Sequence, residues 1–149
     1  MDIKQEVRMH GSGTFVLEKA NGEFEVHVKD NIIVDVGFDL ICDCIGKATG
    51  RPNVVSHIAL GTGTTAAAAV QTSLVNELSR LPATYAHAAG TKVFTMTATF
   101  IEGVATGAIT EAGVLNAASG GTLLDRVVFP VINKGADDKL TATFTFTLT

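Results

Sequence analysis

Lys139-Leu140-Thr141-Ala142-Thr143-Phe144-Thr145-Phe146-Thr147-Leu148-Thr149 alternates polar and apolar residues without a break. Leu140, Ala142, Phe144, Phe146 and Leu148 share one parity, and five threonines share the other. Period two with β-branched threonine on the wet side is the signature of a strand in a sheet that buries one face and exposes the other. Lys92 to Phe100 repeats the device, setting Phe94, Met96, Ala98 and Phe100 against Thr95, Thr97 and Thr99.

Further strands are read outward from these two. Ala108–Asn116 and Thr122–Phe129 are joined by Ala117-Ala118-Ser119-Gly120-Gly121, and a four-residue loop there places Glu111 directly opposite Arg126. Such a cross-strand ion pair adds about 0.2–1 kcal/mol and helps to fix register. Towards the start of the chain, Phe15 and Leu17 alternate with polar neighbours, and Ala20-Asn21-Gly22-Glu23 is a strong hairpin signal. The returning strand alternates Phe24, Val26 and Val28 with Glu25, His27 and Lys29, and Asp30-Asn31 turns into Ile32-Ile33-Val34. Asp35 is then expected to cap a helix carrying Val36, Leu40, Ile41, Cys44 and Ile45 at spacings of three to four. Ser73–Arg80, with Leu74, Val75 and Leu78 on one side and Thr72 before it, reads as a shorter second helix. The expected fold is mainly β: an antiparallel β-sandwich or jelly-roll-like domain over residues 14–149, with one or two short α-helices. Residues 1–13, ending in Gly-Ser-Gly, read as an N-terminal arm.

Composition narrows the function. The 149 residues carry 46% hydrophobic and 17% charged side chains, which is too apolar for disorder and short of the roughly 25% charge of an average domain. Nineteen threonines and 15 glycines must cover much of the surface. A net charge of −4 and a pI near 5.5 point away from nucleic acid, which calls for a basic patch. No run approaches the roughly 18–20 apolar residues of a membrane-spanning helix, and Met1–His10 lacks the apolar core of a secretory signal. The expectation is therefore an unexported protein with no membrane and no nucleic-acid partner.

A search for chemistry finds no assembled site. Cys42 and Cys44 stand two apart on the expected helix and point to different faces, with Cys44 expected in the core. Their spacing is not that of a metal knuckle, and two reduced thiols suit an intracellular setting. His10, His27, His57 and His87 fall on separate elements. Gly61-Thr62-Gly63-Thr64-Thr65 lacks the Gly-Lys-Ser/Thr ending of a phosphate loop and reads as a tight turn after a strand. Asp137-Asp138 reads as a solvated hairpin turn between lysines, and Glu102, Glu111 and Asp125 have no spacing that makes an acid–base pair. The expectation is a protein that is not an enzyme and uses no cofactor and no metal.

Several segments together resemble a recurrent small structural protein of tailed bacteriophages. They are His57-Ile58-Ala59-Leu60-Gly61-Thr62-Gly63-Thr64-Thr65-Ala66, the stretch Leu74 to Glu77-Leu78, and Thr97-Ala98-Thr99-Phe100. Ile109-Thr110-Glu111-Ala112-Gly113-Val114, Ser119 to Arg126 and Leu140 to Phe144 complete the series, so the likeness spans about residues 30–149. No binding motif is carried over with it. The resemblance implies a virion component: a capsid decoration or cement protein, or alternatively a tail or baseplate fibre or fibre-adaptor protein that binds a receptor or glycan. The absence of a long fibrous repeat favours the capsid. Implied partners are the major capsid protein or other virion proteins and further copies of the chain, as a dimer or trimer. Expected assembly contacts are the arm residues Met1, Asp2, Ile3, Lys4 and Gln5, and Thr145, Phe146 and Thr147, on the reading that the last strand is an open sheet edge, the alternative being a central position within its own sheet.

Overall fold

In the computed structural model, which describes residues 4–149, ten strands and one helix follow one another along the chain. The strands are β1 (Met9–Glu18), β2 (Phe24–Asp30), β3 (Ile32–Ile33), β4 (His57–Gly61), β5 (Glu77–Pro82), β6 (Thr84–His87), β7 (Val93–Phe100), β8 (Gly107–Leu115), β9 (Leu123–Lys134) and β10 (Lys139–Leu148). The helix α1 (Asp35–Gly46) lies between β3 and β4. Two five-stranded antiparallel sheets form, in the orders β2-β1-β10-β7-β6 and β3-β9-β8-β4-β5. The expected mainly-β, sandwich-type architecture is what the chain adopts, with one helix.

Alternation decides which side chains meet between the sheets. Phe15, Leu17, Met96, Phe100, Leu140, Phe144 and Phe146 from one sheet pack on Ile58, Leu60, Ile109, Val114, Val127 and Ile132 from the other. Phe15 lies with its ring centroid 4.4 Å from that of Phe129, joining the two sheets directly. Pro130 interrupts β9 where three of its residues face a single residue of β8, between the pairs Ile109–Ile132 and Glu111–Val128. A proline is tolerated at such a bulge because no ladder amide is required of it.

The two sheets are finished differently on their outer sides. The outer side of the β8/β9 sheet is covered: Val34, Ala59, Leu74, Leu115 and Leu123 form a second small core there. The helix presses closely onto this side, because a Cβ on Gly37 would lie 2.2 Å from the Leu124 carbonyl oxygen. Among the described residues, no helix or strand lies over the outer side of the β10 sheet.

Five expectations change. Ser73–Arg80 is not a helix: only Leu74 is buried, and Glu77–Pro82 pairs with β4 as an edge strand. Asp35 does not cap α1; Val34 holds that position without a side-chain bond, and Asp35 sits in the first turn, where its charge favours the helix dipole. Cys44 is half-buried and outside the core. The arm is shorter than residues 1–13, because Met9–Gly13 is the first half of β1, paired to Leu148–Phe144. Glycines there read as a flexible link, yet they answer close approaches: a Cβ on Gly11 would overlap the Asn31 amide, and one on Gly13 would lie 2.8 Å from the Phe15 ring. Finally, the last strand is not an edge. β10 lies between β1 and β7, so the backbone of Thr145, Phe146 and Thr147 is paired on both sides, and Phe146 is fully buried. Lys4 and Gln5 are exposed, while Met1, Asp2 and Ile3 lie outside the described residues.

Candidate functional site

Glu111 and Arg126 meet, in a register different from the expected one. Glu111 stands opposite Val128, and Arg126 opposite Gly113. The offset is two residues, which keeps both side chains on one face, and they pair diagonally. Arg126 Nη2 lies 2.8 Å from Glu111 Oε2, with both side chains fully buried, and Nε donates to the same oxygen at 2.9 Å.

The pair anchors the fifteen residues between β4 and β5. Glu111 Oε1 accepts the amides of Gly63 at 3.0 Å and Asn76 at 2.7 Å, and Oε2 accepts that of Val75 at 2.9 Å. Arg126 Nη1 donates to the Thr65 carbonyl at 2.8 Å and to Gln71 Oε1 at 3.0 Å. Thr110 Oγ1 adds a bond to the Gly63 carbonyl at 2.8 Å. The Gly-Thr-Gly-Thr-Thr turn thus gives one amide, that of Gly63, to the chain's own carboxylate. Burial pushes the Glu111 pKa up, but the Asn76 and Val75 amides, the Arg126 guanidinium and the Gly63 amide together hold it below the usual range. Glu111 is ionised and fully engaged, so it is not positioned to act as an acid or a base on a substrate.

Other ionisable groups are similarly committed. Asp125 is fully buried and accepts the Val114 amide at 3.0 Å and an Asn31 Nδ2 bond. Burial drives its pKa up to about 8. Its position beside the β8/β9 register shift at Val114/Leu115 explains the role, since it satisfies an amide at the irregularity. Lys134 is buried, donates to the Ile101 carbonyl at 3.0 Å and has its pKa lowered by burial. Asp138 is held below its usual pKa by the Gly135 and Ala20 amides it accepts in the turn before β10. Glu102 pairs with Lys139 at 3.6 Å on the surface. Nothing in the local spacing of Asp125 or Lys134 marks either as buried; the partners lie on distant segments.

The histidines stay apart: His10 beside Asp30, His27 beside Glu25, His87 on the Val93 carbonyl. His57 bonds the neighbouring Ser56 hydroxyl at 2.7 Å, and no carboxylate pairs with its ring among the described residues. Among the described residues no three His, Cys, Asp or Glu side chains converge as metal ligands, and no helix is long and apolar enough to cross a membrane. A depression of about 430 Å³ beside the β6–β7 hairpin, at His87, Thr91 and Val93, is shallow and is lined by no acidic group.

What remains is a surface. On the outer side of the β10 sheet, one row across the strands reads Val28, Thr14, Thr143, Thr97, Thr84. The next rows read Val26, Val16, Thr141, Thr99 and Asp30, Ser12, Thr145, Thr95, Ala86. One charge, at the rim, occurs in all three. Neighbouring threonines satisfy one another, Thr99 with Thr141 at 3.0 Å and Thr97 with Thr143 at 3.3 Å. The apolar side of β2 lies in this face, leaving Phe24, Val26 and Val28 at 64%, 63% and 66% exposure. No family model, curated protein or solved structure matches the chain.

Proposed function

We propose that the chain is a non-enzymatic structural subunit of a tailed-bacteriophage virion, a capsid decoration protein that lays the bare face of its β10 sheet on the major capsid protein. The observation that carries this reading is the asymmetry between the sheets: one outer side is sealed by α1 and the Glu111-anchored loop, and the other is open and nearly uncharged. Five strands about 4.8 Å apart, over about eight residues of 3.3 Å rise, make a face of about 600 Å² in projection. That approaches the roughly 800 Å² per partner of a standard protein interface. Threonine methyls and the Phe24, Val26 and Val28 side chains supply apolar area, and hydroxyls that already bond one another can be desolvated at small cost. The resemblance to small phage structural proteins gives the partner class.

The test is localisation. Gold-labelled subunits imaged on purified virions are expected on the head, and the isolated chain is expected to co-sediment with undecorated heads. Label on the tail replaces this reading with the tail-adaptor or receptor-binding one. Binding to neither, or turnover in a panel of esterase and glycosidase substrates, overturns it.

A further inference from the structure

Four strands lie at sheet edges, and they differ in what protects them. β3 has two residues and β6 has four. β5 ends in Pro82, and its ladder with β4 is irregular at Leu60/Gly61. β2 runs seven residues with no proline and no bulge, and every residue is exposed or half-exposed. An edge this long and regular is a template for another strand unless charge or shape blocks it.

Charge is present on β2, arranged as its own complement. Glu25, His27 and Lys29 share one side, and Phe24, Val26 and Val28 the other, with Asp30 at the end of that second side beside His10. Glu25 pairs through Oε1 with Lys19 at 2.8 Å and has Oε2 3.5 Å from His27, yet its side chain remains 40% exposed and open to a further cation. Lys29 makes no ion pair among the described residues.

We propose that β2 pairs with β2 of a second copy, antiparallel, about a two-fold axis through His27. Only this register overlaps all seven residues. It sets Glu25 opposite the partner's Lys29 and Lys29 opposite the partner's Glu25. On the other side it sets Val26 against the partner's Val28, which lets the exposed valines cover one another. Pairing in this register adds about eight main-chain hydrogen bonds, two at each of four residue pairs. The contact is isologous and closes at two copies, whereas β2 on another copy's β6 would grow an open filament. The product is a continuous ten-stranded sheet with its two bare faces side by side. The inference concerns the chain in solution and stands without the virion reading.

Sedimentation equilibrium tests it directly. The wild-type chain is expected to dimerise. Glu25→Lys sets lysine against lysine and Lys29→Glu sets glutamate against glutamate, so each alone is expected to weaken the dimer about tenfold or more. Mixing the two variants restores both oppositely charged pairs, and a heterodimer at least as tight as the wild-type dimer is expected. In a Cys42→Ser, Cys44→Ser background, His27→Cys is expected to form a disulfide-linked dimer under mild oxidation, since facing residues lie within disulfide reach. A monomeric wild type, a dimer indifferent to both charge changes, or the absence of the His27→Cys cross-link overturns the proposal.

Discussion

Two carboxylates on neighbouring strands are held in opposite charge states, and the difference lies in their partners. Glu111 has a guanidinium and three amides; Asp125 has one amide and one side-chain amide in a fully buried site. The Glu111 pKa is lowered in the folded chain, so its contribution to stability is present above the ordinary value of 4.5 and is lost as pH falls. The Asp125 pKa is raised from 3.8 to about 8, so its contribution is complete below the unfolded value and is lost as pH rises towards the folded one. While only the folded form holds that proton, stability falls by up to about 1.4 kcal/mol per pH unit. The thermal midpoint is therefore expected to peak at about pH 4 and to decline until the folded value of about 8 is reached, where the loss is complete. Asp125→Asn should flatten that decline, and a variant with the same slope as wild type contradicts the neutral carboxyl. Glu111→Ala leaves a buried guanidinium unpaired and is expected to cost about 3–5 kcal/mol by urea denaturation. A simple buried pair is often restored by replacing both members with apolar residues. Here Glu111→Leu with Arg126→Met should fail to restore stability, because the Gly63, Val75 and Asn76 amides lose their acceptor as well, at about 1–3 kcal/mol each.

Elements were legible in proportion to how local their cause is. β10 and β7 declare themselves because period two is written in every residue from Leu140 to Leu148 and from Phe94 to Phe100. The helix is legible from Val36, Leu40 and Ile41, but its tight seat is not, since Gly37 is explained only by the Leu124 carbonyl across the gap. Gly37→Ala is accordingly expected to destabilise by about 1–3 kcal/mol through overpacking, although alanine favours helix; an increase in melting temperature refutes that contact. Ser73–Arg80 misleads because Leu74, Val75 and Leu78 fall at helical spacing, while the amides of Val75 and Asn76 bind Glu111, some 35 residues away. Glu111 and Arg126 were legible as partners, because a two-residue register error preserves the face. Their burial was not, because the covering loop is tied down by long-range bonds. At the N-terminus, Gly11 and Gly13 hid the start of β1. Removing residues 1–7 should leave the melting temperature nearly unchanged, whereas removing residues 1–13 takes five ladder positions from β1 and should abolish cooperative unfolding.

At the scale of the whole molecule, the shortage of charge shows on the bare face. Sheet exteriors in free proteins commonly carry charge that keeps them solvated and single, and this one replaces charge with threonine across three consecutive rows. Thr143 lies at the middle of that face, between Thr14 and Thr97, with its side chain directed away from the core. A lysine there projects into solvent in the isolated chain and is expected to change stability by no more than about 0.5 kcal/mol. Docked on a capsid surface, the same ammonium loses its water without gaining a partner, a cost of several kcal/mol. Thr143→Lys should therefore fold and melt like the wild type, yet lose head occupancy by about 100-fold or more, as measured by co-sedimentation. A lysine on α1, at Asp39 on the covered side, serves as the control and should leave occupancy unchanged. If Thr143→Lys binds as well as wild type while Asp39→Lys does not, the docking surface is the helix side of the molecule, and the open sheet needs another occupant.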